Sequence, residues 1–215
     1  MNKNQNIISV KARKDCFCDE IDKIKLFKNI QELLSNINYF NCKEYINIRA
    51  NIIKALLKFN NIYHYSKKVF YLAILYLDII FQSLPENTIL DGQYEIYIIN
   101  CIILAAKFYE DDLKSTSFER FIDFSKNQFD LEDIALNEII CLKILNYKLN
   151  YNSIFDILNF LMEDYMTELN IGKNDDYYSI SNYPFNILDK IILSNITIYF
   201  SAKIFFILTI IFFYN

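Results

Sequence analysis

The stretch that decides the fold is Ile103-Leu104-Ala105-Ala106-Lys107-Phe108, close to the end of an apolar segment that runs from Tyr94 to Tyr109. Within that segment only Glu95 and Lys107 carry a charge. A helix that is apolar on all its faces belongs inside a bundle of other helices. We therefore expect residues 94–109 to form the central helix, with the apolar run 71–81 as its first partner.

The composition favours an all-α protein. Among 215 residues there are two glycines and two prolines, whereas 53% are hydrophobic, including 19 Phe and 17 Tyr. Hairpin turns and glycine-rich phosphate loops depend on glycine, so its scarcity argues against both. The length suffices for one hydrophobic core or for two small repeats packed together.

The charge balance argues against a nucleic-acid partner. The chain has 26 acidic and 22 basic residues, and its net charge is −4. Proteins that bind nucleic acids usually show a basic excess or a concentrated basic stripe. The short cluster Lys11-Ala12-Arg13-Lys14 fits either a weak nuclear-import element or a solvated arm. We expect no contact with nucleic acid.

The cysteines indicate reduced thiols in an intracellular protein. Their number is odd, five, and no N-terminal signal peptide is visible. The pair in Cys16-Phe17-Cys18 does not have a zinc-binding spacing, and His64 is the only histidine. We therefore expect neither a metal site nor a cofactor.

Apolar residues at steps of three and four predict further helices before the central one. These helices cover Asp19–Asn38, Cys42–Asn60 and Lys67–Gln82. Ser66 is the expected N-cap of the third, because its side chain can accept from the first turn. Residues 1–18 are expected to form a flexible arm.

Two more helices are predicted after the central one. Ser115 or Ser117 begins a short helix that ends at Ser125. Asp130 begins a longer helix, and Asp133, three residues later, resembles the second half of a capping box. The core face of this last helix is expected to carry Leu131, Ile134, Leu142 and Leu145.

Four charged residues lie in or next to apolar runs on successive predicted helices: Arg49, Asp78, Lys107 and Glu138. They follow one another at 29, 29 and 31 residues, which is one helix plus one connection each time. A charge among apolar residues is costly unless it is paired, and here two acids match two bases. The alternative is that these are surface charges at helix ends, which contribute little to stability.

The residues around these charges resemble the cyclin box. The family's first box helix has an arginine in a Met-Arg-Ala-Ile-Leu-like run, and this chain has Ile48-Arg49-Ala50-Asn51-Ile52. The second-helix pattern Leu-Ala-x-x-Tyr-x-Asp matches Leu72–Asp78, and the third-helix pattern Leu-Ala-(Ala/Ser)-Lys-Phe matches Leu104–Phe108. The fifth, a Glu followed by Leu-x-x-Leu-x-(Phe/Tyr)-x-Leu, matches Glu138–Leu149. The four motifs occur in order, and the resemblance covers about residues 42–150.

The resemblance implies an all-α fold and a regulatory function. Residues 19–150 would form a leading helix and a five-helix cyclin box, and residues 151–215 a truncated or degenerate second helical repeat. Cyclins are non-catalytic subunits of Ser/Thr protein kinases. The chain would therefore form a heterodimer with a cyclin-dependent kinase and activate it, in cell-cycle or transcription control, in the nucleus and cytoplasm.

The resemblance also implies roles for individual residues. Arg49 and Asp78 would form a structural ion pair between the first two box helices. Lys107 and Glu138 would contact the mobile helix of the kinase. The surrounding contact surface would include Leu104, Phe108, Glu110, Tyr147 and Leu149.

The chain departs from the family pattern at two positions. The tryptophan that usually follows the arginine by six residues is Ala55 here, so groove docking of short basic–leucine motifs is not expected. Tyr109 stands between Phe108 and Glu110, so the acid that usually follows the Phe is missing or shifted by one.

The apolar tail leaves a membrane contact open. The segment Ile191–Phe213 has one charge, Lys203, and its length would permit a membrane span. Polar residues dilute its first half, and the apolar run after Lys203 has only ten residues. Core helices of the partial repeat are therefore preferred, with a tail anchor and an incorrect gene-model end as alternatives.

Three other functional classes compete with a kinase regulator: a transcription adaptor, a tail-anchored interaction protein and an enzyme. A cyclin-fold adaptor of transcription that does not activate a kinase would require basic, DNA-facing helices and usually a zinc ribbon. A tail-anchored helical interaction protein depends on the apolar tail. An enzyme is not favoured, because the chain has no Ser/His/Asp set and no Gly-rich loop, and Glu110-Asp111-Asp112 fits a solvated acidic turn.

Overall fold

The computed structural model describes residues 43–84, 94–109, 121–122, 125, 128–156, 158–159, 162–163, 185–190 and 192. All of them belong to one compact unit, Tyr39–Asn215. The residues predicted to form a flexible arm (1–18) and a leading helix (19–38), together with Glu110 and most of the apolar tail, lie outside the described residues.

The described residues form a helical bundle and contain no strand, which confirms the all-α prediction. Its four long helices are α1 (Lys43–Tyr63), α2 (Lys67–Ser83), α3 (Tyr94–Tyr109) and α4 (Leu131–Ile144). Helix α3 packs against α2 on one side and α4 on another, and α1 packs against α2. The apolar segment of the sequence thus forms the central helix, as predicted.

Helix α3 is central because it presents no polar face. Every residue from Ile96 to Ala106 is buried. Aromatic rings from the neighbouring helices fill the space around it. The ring centroid of Phe81 of α2 lies 5.7 Å from that of Tyr97, and the same ring stacks on Tyr45 of α1 with 4.9 Å between the centroids. Burial of side chains of this size supplies most of the hydrophobic free energy of a domain of this length.

Two predicted helix starts are confirmed. Ser66 caps α2, because its Oγ accepts from the backbone N–H of Val69 at 3.4 Å. Asp130 and Asp133 form a reciprocal capping box at α4: the N–H of Asp133 donates to Asp130 at 2.9 Å, and the N–H of Asp130 to Asp133 at 3.2 Å. Each cap satisfies backbone donors that the first helical turn would leave unpaired.

The predicted end of α1 at Asn60 is wrong by one turn. The helix continues to Tyr63, and His64 ends it by adopting a left-handed conformation with φ of 58°. Asn60 stays inside the helix, where its side-chain amide donates to the carbonyl of Tyr65 at 3.3 Å. Asn60, which suggested a turn, is therefore helical, and its hydrogen bond to Tyr65 stabilises the C-terminal end of α1.

The predicted core face of α4 is partly wrong. Leu131 is exposed, and Leu142 is only half-buried. Asn137 takes the central buried position instead, because its Oδ1 accepts from the Asn100 amide of α3 at 3.0 Å. This polar contact sets the rotation of α4 about its axis. The buried positions that follow from it are Ile134, Asn137, Cys141 and Leu145.

The described residues beyond 150 pack on the first half of α2. The ring of Phe155 lies 5.7 Å from Tyr71 and 4.9 Å from Phe185. Asp189 accepts a hydrogen bond from the Tyr71 hydroxyl and pairs with Lys67 at 3.1 Å. Whether this region is a shortened second repeat is not decided by these contacts, so that interpretation stays a prediction.

No helix within the described ranges is both long and apolar enough to cross a membrane. Of the tail Ile191–Phe213, only Ile192 is described, and it is buried against the core.

Candidate functional site

Lys107 and Glu138 meet at the surface where α3 and α4 lie side by side. The Lys107 Nζ donates to both carboxylate oxygens of Glu138, at 2.6 and 2.9 Å. The sequence brings these groups together because Lys107 ends the buried helix α3, while Glu138 lies in the middle of α4. The structure thus joins two of the predicted site residues that are 31 positions apart.

This ion pair is accessible to a partner. The side chains of Lys107 and Glu138 retain 37% and 15% of their possible exposure. A pair at the surface contributes little to folding, because water competes for both charges. Its charges can therefore be shared with donors and acceptors of another protein at small cost to the fold.

The residues predicted to form an apolar surface around the pair differ in their exposure. Phe108 is exposed beside Lys107, with its ring 5.0 Å from that of Tyr109. Tyr147 is 65% exposed, and Leu149 is half-buried. Leu104 is a correction: it is 2% exposed and lies in the hydrophobic core. It precedes Lys107 by nearly one turn on a helix enclosed by its neighbours, so its side chain supports the surface from beneath.

Tyr147 is presented by an unusual helix end. After α4, both Asn146 and Tyr147 have left-handed backbones, with φ of 52° and 56°. The N–H of Tyr147 donates to the carbonyl of Leu142 at 2.8 Å, which closes the last turn. A left-handed residue other than glycine costs about 1–2 kcal/mol. The packed fold bears this cost, and the result is an outward-facing tyrosine next to the ion pair's helix.

Arg49 and Asp78 form the second predicted pair, inside the bundle. Arg49 Nε donates to Asp78 Oδ1 at 2.9 Å, and an Arg49 terminal nitrogen donates to Oδ2 at 3.2 Å. Both residues are buried. Burial by itself lowers the pKa of Arg49, but the charge of Asp78, its hydrogen bonds to Arg49 and the contribution of Tyr45 together outweigh burial, so the pKa is raised and the guanidinium stays charged. A buried pair of this kind ties α1 to α2.

Sequence reasoning missed a third member of this buried group. The hydroxyl of Tyr45 donates to Asp78 Oδ1 at 2.5 Å, one turn of α1 before Arg49. Burial, reinforced by the negative charge of Asp78, raises the pKa of Tyr45 well above its usual value, so the phenol remains a donor. The spacing of four between Tyr45 and Arg49 was the available signal, because residues four apart share one helix face.

Tyr109 was also missed as an anchor. Its hydroxyl donates to Asp156 at 3.3 Å, and the same carboxylate caps the following helix by accepting from the Ser153 backbone N–H at 2.9 Å. Partial burial, and next the charge of Asp156, raise the pKa of Tyr109 to about 12. The residue that interrupts the family's Phe–acid sequence therefore fixes the end of α3, where Lys107 and Phe108 are displayed.

Metal binding has no support among the described residues, which contain no group of three or more His, Cys, Asp or Glu side chains placed to hold an ion. The two described cysteines, Cys101 and Cys141, are buried thiols in the core. Neither lies at the accessible surface, so neither is placed to act as a nucleophile there.

A comparison with known families gives one match. The family model described as "Cyclin, N-terminal domain" matches residues 22–150, which is more than half of the chain and includes all four long helices. No curated protein matches the chain. The matched range contains Arg49, Asp78, Lys107 and Glu138, the residues that form the two ion pairs.

Proposed function

Because this chain belongs to the cyclin family, we propose that it is the regulatory subunit of a Ser/Thr protein kinase of the cyclin-dependent class, and that it activates the kinase by docking on its mobile helix. The cyclin fold is generally a regulatory, non-catalytic domain. The chain would form a heterodimer with the kinase in the nucleus and cytoplasm.

The observation that supports this proposal best is the exposed Lys107–Glu138 pair, with its 2.6 Å contact at the edge of α3 and α4. The Lys107 ammonium offers donors to backbone carbonyls or a carboxylate of the partner, and Glu138 offers acceptor oxygens to its N–H groups. A mobile helix of a kinase presents both kinds of group at its ends.

The apolar part of the surface would supply most of the affinity. Phe108 follows Lys107 directly and Tyr147 comes shortly after the end of α4, and both are large side chains exposed to solvent. Aromatic anchors of this kind carry much of the binding free energy at protein interfaces, whereas charges at the rim mainly set orientation and specificity.

Activation would follow from a population shift. A kinase alone samples arrangements in which its mobile helix is displaced from the ATP-binding lysine. A partner that binds only the aligned arrangement raises the fraction of that arrangement by as much as its affinities for the two states differ. Rigid display of Lys107 and Phe108 matters for this mechanism, and the Tyr109–Asp156 hydrogen bond provides it at the end of α3.

A kinase pull-down with purified full-length protein tests the proposal. The wild type should recover a Ser/Thr kinase whose activity rises on binding, while Lys107→Glu and Glu138→Lys should each recover at least about tenfold less. Lys54→Glu is the matched control, because Lys54 is an exposed lysine of α1, away from the pair, and it should recover as much as the wild type.

Two outcomes would contradict the proposal in different ways. If the folded wild type recovers no kinase, the function is wrong. If both charge reversals recover the same kinase as well as the wild type does, the function stands but the assigned surface is wrong.

A further inference from the structure

Helix α4 has an exposed face that the proposed kinase site does not use. On the side opposite its buried stripe, Leu136 and Ile139 retain 56% and 47% of their possible exposure. Glu132 in the first turn and Lys143 in the last turn are exposed as well. Neither of these two charges forms an ion pair within the described part of the chain.

These four residues form one narrow stripe. Their spacings are four, three and four, so at 3.6 residues per turn they fall within about 60° of the helix circumference. That spacing is the one by which helices pack side by side with small crossing angles. We call Glu132, Leu136, Ile139 and Lys143 the outer stripe. Glu138 lies roughly 130° away around the axis, so the outer stripe is distinct from the surface of the ion pair.

The outer stripe is complementary to a second copy of itself that runs in the opposite direction. The midpoint between Glu132 and Lys143 falls between Asn137 and Glu138, and the midpoint between Leu136 and Ile139 falls at the same place. If a second α4 helix is laid antiparallel across this midpoint, each Glu132 faces a Lys143 and each Leu136 faces an Ile139. A two-fold interface requires this self-complementarity, in which residue i contacts j and j contacts i.

We propose that two copies of this chain associate through the outer stripe, with their α4 helices antiparallel. Two apolar contacts form the centre, and two ion pairs close the ends. The outer stripe is far smaller than the roughly 800 Å² per partner of a standard interface. The dimer is therefore weak and depends on protein concentration. The proposal does not depend on the kinase function, since it uses another face of α4.

Sedimentation equilibrium of the full-length protein between about 1 and 500 μM tests the association. The wild type should change from monomer to dimer across this range, and Ile139→Lys should remain a monomer, because it places two like charges at the centre. Leu131→Lys is the matched control: Leu131 is equally exposed but lies off the stripe, and it should dimerise as the wild type does. Far-UV circular dichroism checks that each variant is folded.

Charge exchange tests the antiparallel arrangement directly. Glu132→Lys places Lys opposite Lys at both ends, and Lys143→Glu places Glu opposite Glu, so each variant alone should dimerise at least about tenfold more weakly. A mixture of the two variants restores opposite charges at both ends and should form a heterodimer. A wild type that stays monomeric throughout, or a mixture that associates no better than either variant alone, would overturn the proposal.

Discussion

Arg49 on α1 and Asp78 on α2 form a two-pronged ion pair inside the core, with 2.9 Å between Nε and Oδ1. Lys107 and Glu138 form a pair of similar length at the surface. The two pairs contribute differently to stability, because water reaches the surface pair and not the buried one. Each charge of the buried pair therefore depends on the other for compensation, even though Tyr45 also donates to Asp78. The surface pair can exchange its partner at small cost, as a docking site requires.

Removal of one member of the buried pair should be strongly destabilising. We expect Asp78→Ala to lower the free energy of unfolding by about 3–5 kcal/mol, because it leaves the guanidinium of Arg49 buried without a counter-charge. The double variant Arg49→Met/Asp78→Leu should recover much of that loss, since no charge is then buried. Urea unfolding followed by circular dichroism measures both. If the double variant were less stable than Asp78→Ala, the loss would come from packing and not from the uncompensated charge.

The Tyr45 hydroxyl, which donates to Asp78, should contribute measurably to the free energy of unfolding. Tyr45→Phe keeps the ring that stacks on Phe81 and removes only the donor to Asp78, so we expect a loss of about 1.5–3 kcal/mol, the range for hydrogen bonds to charged groups. Tyr147→Phe removes a hydroxyl from an exposed ring and should change the unfolding free energy by less than about 0.5 kcal/mol. Equal effects of the two variants would contradict the role given to Tyr45.

The described cysteines should resist alkylation in the folded protein. Burial raises the pKa of Cys101 well above its usual value and that of Cys141 to about 12, so at pH 8 both are protonated and shielded. Iodoacetamide followed by peptide mass spectrometry should label neither in native protein and both in urea. Ile62→Cys, at an exposed position of α1, serves as the positive control. Rapid native labelling of Cys101 would show that α3 is not the enclosed helix described here.

The protein should lose stability between pH 10 and 12, partly through Tyr109. Its pKa is about 12 in the folded protein and 10.0 ordinarily. Within that window the unfolded chain has lost the phenolic proton and the folded protein retains it. The contribution of Tyr109 to the free energy of unfolding is therefore complete below pH 10 and decreases as the pH rises towards 12. Tyr109→Phe should show a shallower fall. Parallel curves for the two proteins across this window would refute the assigned shift.

A chain that ends at Asn150 should not fold stably. It lacks apolar residues that pack into the same core as α2, among them Phe155, Leu158 and Leu188. Burial of each side chain of this size contributes about 1.5–3 kcal/mol. We expect aggregation or the loss of a cooperative thermal transition. Asp189→Asn in the full chain weakens only the polar contacts with Lys67 and Tyr71 and should lower Tm by a few degrees. An unchanged Tm in the shortened chain would show that residues 1–150 fold without the rest of the chain.

The features that the sequence predicted well are local ones. Helix α3 follows from a run without polar residues, and the starts of α2 and α4 follow from Ser66 and the Asp130–Asp133 capping box. The family motifs then place Lys107 opposite Glu138. For helix α3 and the starts of α2 and α4 the signal lies within a few residues, whereas the pairing of Lys107 with Glu138, 31 residues apart, depends on the order of the family motifs.

The predictions that were wrong or incomplete depend on contacts between helices. Leu104 has the same motif context as exposed Phe108, but the helices around α3 enclose it. Leu131 fits an apolar stripe, but the hydrogen bond between Asn100 and Asn137 rotates α4 and leaves it in solvent. The contacts of Tyr45 and Tyr109 join residues 33 and 47 positions apart. Periodicity along one helix places Tyr45 on the face of Arg49, but it does not identify the residue on the neighbouring helix that either tyrosine contacts.

The contacts of Asp189 also bear on the order of events during synthesis. Lys67 and Tyr71 are made 122 and 118 residues before the carboxylate that they contact. At 5–20 residues per second, the ribosome needs about 6–25 s to bridge that interval. Until then Lys67 and Tyr71 lack this carboxylate as a partner, so the polar contacts at the first half of α2 are incomplete. Assembly of the complete bundle is thus a late event in the life of the nascent chain.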